Sequence, residues 1–458
     1  VVIVPPHKFA CGGGFVSWLD RLPPVGGTMK SHEEDLLSIC KCIIIDAAAK
    51  CYTDKVSYER DIKTIISRLN NEGLSFLTIT LPNFGKDFEK CLSYGLVTST
   101  SFSGWKKVRH LPAFLQGFVR LVFSAETGGI LDDPDISAVE GVRQIAYAFK
   151  KLSIQCTPKR ESLAMSGFQE VECFLSSAML PRDTNLFSQI SDLLWNNVLG
   201  YFLDHQDIVP RHGPGQTAEH ISGNRKYTSR TWHERLEPFF PSDLCMIASY
   251  SQLMYDSNGI QDLQFRTVEQ EQPVRIVSVP KTQKGPRIIA IEPVCMQYTQ
   301  QGLSSLIIEK IEASELTGGH INFTDQSINQ RLALSASKDQ LYATIDLSEA
   351  SDRVPLSLVT LMLDSTPNFR DAILSCRSNA AQMPSGLVLN LKKFASMGSA
   401  LCFPICAMYY YTVILTALFG KHKLPVTFDN IIKMSSNVYI YGDDIIIPTD
   451  EVVTVWKL

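Results

Sequence analysis

Residues 401–420 carry no charged side chain over twenty consecutive positions. A helix that is apolar on every face must be enclosed, either by lipid or by a protein core large enough to cover it. Pro404 would interrupt a membrane span, the run Tyr409-Tyr410-Tyr411 is unusual at mid-bilayer, and Ser396-Met397-Gly398-Ser399 just before it reads as a functional loop. The expectation is a helix buried on all sides, with no membrane partner. A chain of 458 residues, 45% hydrophobic and 20% charged, is long enough for two or three lobes with such a core.

The formal net charge of -4 argues against a protein that coats nucleic acid through overall basicity, so any such binding must come from a local patch. The 12 cysteines are scattered without a CxxC pair or a nearby histidine cluster, which points to reduced, mostly buried thiols in a cytosolic protein. Both ends read as cut. The chain opens Val1-Val2-Ile3-Val4-Pro5 without a methionine, and Asp450-Glu451 after Pro448 open a helix just before the last residue.

The first half is mainly helical in pattern. Ser31 and the acids Glu33, Glu34 and Asp35 precede Leu36, Leu37 and Ile39, a second amphipathic stretch covers Ile62 to Leu69, and Ile136, Val139, Val142, Ile145 and Ala148 recur at helical spacing after Pro134. Arg211-His212-Gly213-Pro214-Gly215 and Ser222-Gly223-Asn224-Arg225-Lys226 form a loop rich in breakers and cations, either a plain surface connection or an RNA contact.

The local patch lies at 272–291, where Arg275, Lys281, Lys284 and Arg287 flank a Lys-Thr-Gln-Lys-Gly-Pro loop between two strands. Alone it is a solvated loop tip or a phosphate-binding hairpin. Further on, the run 341–346 reads as a strand ending in Asp346, with a helix from about Pro355 to Leu363. Near the end, Tyr441-Gly442-Asp443-Asp444 places two carboxylates on a tight turn between Asn437-Val438-Tyr439-Ile440 and Ile445-Ile446-Ile447. By itself this is an ordinary Gly-Asp turn with solvated acids. Together with Asp346 it can make a three-aspartate site across adjacent strands, suited to hard divalent cations.

The order of the basic loop, Asp346, Ser396-Met397-Gly398 and Tyr441-Gly442-Asp443-Asp444 resembles motifs F, A, B and C of viral RNA-dependent RNA polymerases. Ala290-Ile291-Glu292-Pro293, residues 324–331, residues 344–352 and Ser396-Met397-Gly398 look like the replicase subunit of the positive-strand RNA bacteriophages, the Qbeta-like leviviruses. Coverage by this resemblance is roughly residues 110 to 458.

The resemblance implies an α+β right-hand polymerase: a helical region at 1–110, fingers with the basic hairpin at 111–335, and an antiparallel palm at 336–458 that stops before a thumb. It implies that Asp346, Asp443 and Asp444 are catalytic and hold two Mg²⁺ ions, with Mn²⁺ as a substitute. Arg275, Lys281, Lys284, Arg287, Ser351, Asp352, Ser396, Gly398 and Ser399 would bind the nucleotide, and Arg211, His212 and Lys226 the RNA. Implied partners are template and product RNA, NTPs, host elongation factors Tu and Ts and a small-subunit ribosomal protein, in the host bacterial cytoplasm. Reverse transcriptases share the paired aspartates but usually place an aromatic residue five positions after the first one. Here that residue is Ser351, which leaves room for a ribose. An RNA-binding but catalytically silent fragment is the other alternative, since only fourteen residues follow Asp444.

Overall fold

The computed structural model describes residues 29–51, 55–177, 184–246 and 263–456, which fall into two units. A mainly helical unit is drawn from residues 29–164 and 278–287, and a mixed unit from residues 165–277 and 288–456. The expected boundaries are at 110 and 335; the two units divide at 164/165, with residues 278–287 in the helical one. The helical unit's core draws its residues from between Cys40 and Phe149.

In the helical unit, α1 (Met29–Cys51), α2 (Lys55–Glu72), α3 (Leu81–Tyr94) and α4 (Ile136–Tyr147) enclose Ile44, Phe84, Phe88, Phe118, Val142 and Ile145. Asp135 starts α4 by accepting a hydrogen bond from the Ala138 amide at 3.1 Å, satisfying one of the first-turn donors. The buried stripe of α4 is Ala138, Gly141, Val142, Ile145 and Ala146; Ile136 and Ala148, expected within it, are exposed. Both lie at the helix ends. Asp61 is buried and accepts from the Leu115 amide at 2.8 Å, and burial pushes its carboxyl up to about 7.

The helix α5 (Pro158–Ser177) enters the mixed unit at residue 165. There follow α6 (Thr184–Leu199), α7 (Val294–Ala313), α8 (Ser327–Asp339), α9 (Leu356–Met362), α10 (Pro367–Cys376), α11 (Cys402–His422) and α12 (Phe428–Ser435). Among its strands, apart from the tip of the first hairpin, are β1 (Val274–Thr282), β2 (Gly285–Ile291), β3 (Tyr342–Asp346), β4 (Ala380–Gln382), β5 (Val388–Asn390), β6 (Tyr439–Tyr441) and β7 (Asp444–Pro448). They form a four-stranded sheet ordered β2-β1-β4-β5 and an antiparallel three-stranded sheet ordered β6-β7-β3.

The uncharged stretch is α11, and protein covers it: 78% of its most apolar eighteen-residue window is buried. Pro404 falls in the first turn, where a missing amide hydrogen costs no helical bond. The Thr412 and Thr416 hydroxyls donate to the Met408 and Thr412 carbonyls, and Trp195 Nε1 reaches Thr412 Oγ1 at 3.1 Å. Each buried Leu or Ile here contributes roughly 1.5–3 kcal/mol of transfer free energy. The helix is therefore the central pillar against which both β6 and α6 pack.

The basic hairpin is tighter than expected. Its strands run to Thr282 and from Gly285, leaving only Gln283 and Lys284 in the turn. The tip, residues 278–287, is part of the helical unit, where Thr78 Oγ1 donates to Gln283 and Arg160 donates to the Gln283 carbonyl at 3.0 Å. No disulfide links the described cysteines.

Candidate active site

The β6–β7 turn consists of Gly442 and Asp443, closed by the pair Tyr441 and Asp444. Gly442 has φ of 64° while Asp443 does not enter the positive region, the pattern of a type II′ turn with glycine first. Glycine is also required sterically, because a Cβ at 442 would lie 1.9 Å from the Phe403 ring of α11. The turn thus sits on a side chain that also meets Phe323 and Tyr441 edge-on.

Register decides where the carboxylates stand. Asp444 of β7 is directly opposite Asp346 of β3, and Ile445 opposite Ile345. Side chains alternate along a strand, so the two aspartates share one face while both isoleucines are buried on the other. Asp346, Asp443 and Asp444 are all exposed. Among the described residues the carboxylates of Asp346 and Asp443 take no hydrogen bond and form no ion pair, and Asn329 Nδ2 donates to the Asp444 carbonyl at 3.3 Å. The outer edge of β6 is covered by hydrogen bonds from Asn322 N to Ile440 O and from Ile440 N to His320 O, which holds the hairpin in place. The donor set is all hard oxygen, as Mg²⁺ requires. Among the described residues, however, no three His, Cys, Asp or Glu side chains converge closely enough to hold a metal ion. The strands juxtapose the acids; ligand closure is not preformed.

A second constellation lies beside them. Asp352 is the middle residue of the short 3₁₀ turn Ser351–Arg353, and its Oδ1 accepts from Lys393 Nζ at 2.9 Å and from Ser396 Oγ at 3.0 Å. Tyr410 of α11 anchors the same turn by donating to the Ala350 carbonyl at 2.7 Å. The hydrogen bond with Cys402 and burial raise the Cys406 thiol well above its ordinary value, and the Asp352 and Asp443 charges push the same way. Both carboxylates therefore flank the same stretch of α11.

The Ser396 loop is fastened from three directions. The Met397 carbonyl accepts from Ala290 N of β2 at 2.9 Å, and Gly398, with φ of 131°, passes so close that a Cβ would lie 2.0 Å from the Ala290 oxygen. Ser399 Oγ donates to Gln300 Oε1 at 3.1 Å. The buried Arg377 guanidinium donates to the carbonyls of Phe394, Leu391 and Lys393, which fixes the segment leading into the loop. Nearby, Glu292 is fully enclosed, accepts from Ser378 Oγ, and burial pushes it up to about 7. Sequence reasoning misses Lys393, Arg377 and Glu172. The one available signal is the position of Lys393 inside Leu391-Lys392-Lys393-Phe394, whose apolar ends are buried.

The remaining cations divide. Lys281, Lys284 and Arg287 are exposed at the hairpin tip of the helical unit. There burial lowers the Lys86 pKa, and the charges of Lys284, Lys150 and Lys90 lower it further, so these four lysines form one cationic surface. In the mixed unit, Arg275 donates to Gln216 Oε1 at 3.0 Å. Of the expected RNA contacts, Arg211 stays exposed and donates to Ser305 Oγ. Lys226 and His212 do not fit that role. Lys226 is 1% exposed, its ammonium spent on the Gly213 carbonyl and Gln297 Oε1. His212 lies between Tyr227 and Tyr298, where burial and then the Lys226 charge lower it to about 4 and keep it neutral. Both instead stitch the loop to α7.

Fold and site together define a mixed α and β protein whose larger unit presents strand-borne carboxylates next to a glycine-containing serine loop. Residues 246–458 match the family model "RNA replicase, beta-chain". The RNA-directed RNA polymerase subunit beta of Qbeta virus (strain MX1) is 34% identical over 176 residues, 38% of this chain and 27% of that protein. The RNA-directed RNA polymerase beta chain of Escherichia phage MS2 is 31% identical over 175 residues, 38% of this chain and 29% of its own length. The matched part thus spans little more than a quarter of these relatives. The solved RNA-dependent RNA polymerase of bacteriophage phi12 aligns with a TM-score of 0.37 and 11% identity over 67% of this chain and 54% of its own, too slight a likeness to define the fold.

Proposed function

We propose that this chain carries the catalytic centre of a phage RNA-directed RNA polymerase, a right-hand fold in which the β6-β7-β3 sheet is the palm. The observation that carries the reading is the register of Asp346 against Asp444 with Asp443 at the adjoining turn. Asp346, Asp443 and Asp444 would hold Mg²⁺, or Mn²⁺ in its place. When bound, two such ions lower the pKa of the attacking RNA 3′-hydroxyl and neutralise the triphosphate and the departing pyrophosphate.

The chain's own residues supply positioning. Gly442 and the Phe403 ring hold the acidic turn, Asn322 and His320 fix its edge, and Asp352 with Ser396 presents an acceptor and a hydroxyl for the ribose. With Ser351 where reverse transcriptases usually place an aromatic residue, ribonucleotides are the favoured substrate. The lysines at 86, 90, 150 and 284 suit phosphates of RNA or of a triphosphate. The relatives are designated beta subunits, which supports assembly with other subunits. Elongation factors Tu and Ts and a small-subunit ribosomal protein are the proposed host partners, and the bacterial cytoplasm the proposed location.

The test is nucleotide incorporation on a primed RNA by the 458-residue chain and by its Asp443→Asn variant. Incorporation that falls at least about a hundredfold in the variant is expected. Incorporation indifferent to that change would sink the site assignment. Template binding without turnover by the unmodified chain would favour a silent RNA-binding role.

A further inference from the structure

We infer that Lys393 and Glu172 are positioning residues for ribose selection, a buried ion pair that orients Asp352 with one oxygen engaged and the other turned to the incoming sugar. This rests on the nucleotide-binding role proposed above for Asp352. The Lys393 side chain is 0% exposed, an unusual condition for an ammonium group, which is almost never fully buried unless it is paired. Its Nζ lies 2.9 Å from Asp352 Oδ1, 3.3 Å from Glu172 Oε1 and 3.4 Å from the centre of the Phe168 ring. Two carboxylates and an aromatic face therefore surround it. Glu172, 8% exposed, is pinned in turn by the Lys392 amide, which donates to its Oε2 at 2.5 Å.

The consequence falls on Asp352. Its Oδ1 takes both the Lys393 ammonium and the Ser396 hydroxyl, while among the described residues Oδ2 takes no hydrogen bond. The side chain keeps 22% of its surface open. A carboxylate held by one oxygen presents the other as a fixed acceptor. A 2′-hydroxyl can donate to it, and a 2′-deoxy sugar has nothing to offer. Without Lys393, the carboxylate is free to turn and to satisfy both oxygens with Ser396 and water. Glu172 contributes no contact to the sugar; it makes the buried cation tolerable and holds it in line.

Binding, not turnover, gives the cleanest readout. The whole chain is titrated with GTP and with 2′-deoxy-GTP in Mg²⁺, and the ratio of the two dissociation constants is compared among variants. Lys393→Met alone strands Glu172 in the core and can misfold, so the double variant Glu172→Gln/Lys393→Met, in which both buried charges are gone, is the main reagent. Its folding is checked by circular dichroism. The preference for GTP is expected to fall about tenfold in the double variant and in Asp352→Asn, and to be partly retained in Lys393→Arg. A folded double variant with an unchanged ratio overturns the inference alone. An unmodified chain that binds neither nucleotide, or binds both equally, overturns the nucleotide-site reading and this inference with it.

Discussion

Gly398→Ala tests how the serine loop is held. Gly398 has φ of 131°, and an added Cβ would lie 2.0 Å from the Ala290 carbonyl oxygen, which belongs to strand backbone and cannot swing aside. Real Cβ contacts essentially never fall below 3.0 Å, so loop and strand must separate by about an ångström. That separation breaks the hydrogen bond from Ala290 N to the Met397 carbonyl, now 2.9 Å, at a residue only 2% exposed. Backbone strain of about 1–3 kcal/mol and an orphaned buried donor of about 1–3 kcal/mol sum to roughly 2–6 kcal/mol. A unit of this size survives such a loss when its stability is near the usual range of about 5–15 kcal/mol. Urea denaturation followed by tryptophan fluorescence measures it, since Trp195 and Trp232 are both fully buried in the mixed unit. Gly167→Ala is the control: Gly167 lies within α5, has ordinary φ and open space at Cβ, and should gain about 0.5–1 kcal/mol. A Gly398→Ala protein within about 1 kcal/mol of the parent would refute the reasoning.

Two further predictions follow from burial. The Glu292 carboxyl, raised to about 7 by its enclosure, contributes stability that is complete below its ordinary 4.5 and is lost as pH rises through about 7. Glu292→Gln should therefore gain in melting temperature relative to the parent between pH 5 and pH 8, and a pH-independent difference would remove the cause assigned to it. Lys226→Met should cost about 1–3 kcal/mol by leaving Gly213 and Gln297 unpaired, while the salt dependence of RNA binding stays unchanged. Arg211→Ala should leave stability alone and, if the exposed guanidinium meets a phosphate, lower the slope of log affinity against log salt by about one.

How far the site is legible in the chain differs from residue to residue. Gly442 and its two acids are legible because a two-residue turn is a local object, set by a positive φ and by the apolar runs on either side. The buried helix is legible for a similar reason, since twenty uncharged residues admit few environments. Lys226 and Lys281 look alike in the sequence, both lysines in basic, breaker-containing segments. One is 1% exposed and hydrogen-bonded to two amide oxygens, the other is exposed at a hairpin tip. Charge type says nothing about burial, which depends on what packs against the segment.

By itself, then, the sequence determined the order and chemistry of the parts: a strand ending in Asp346, a glycine-bearing serine loop, a core helix and an acidic turn, all read from periodicity and turn residues within a few positions of each other. Only the tertiary structure decided their partners. Asp444 meets Asp346 through strand register, and Asp352 is gripped by Lys393 and Ser396 while Glu172 of α5 balances the cation. Local propensity acts over one or two turns of chain, whereas a buried charge is satisfied only by whichever distant group the packing brings within about 3 Å.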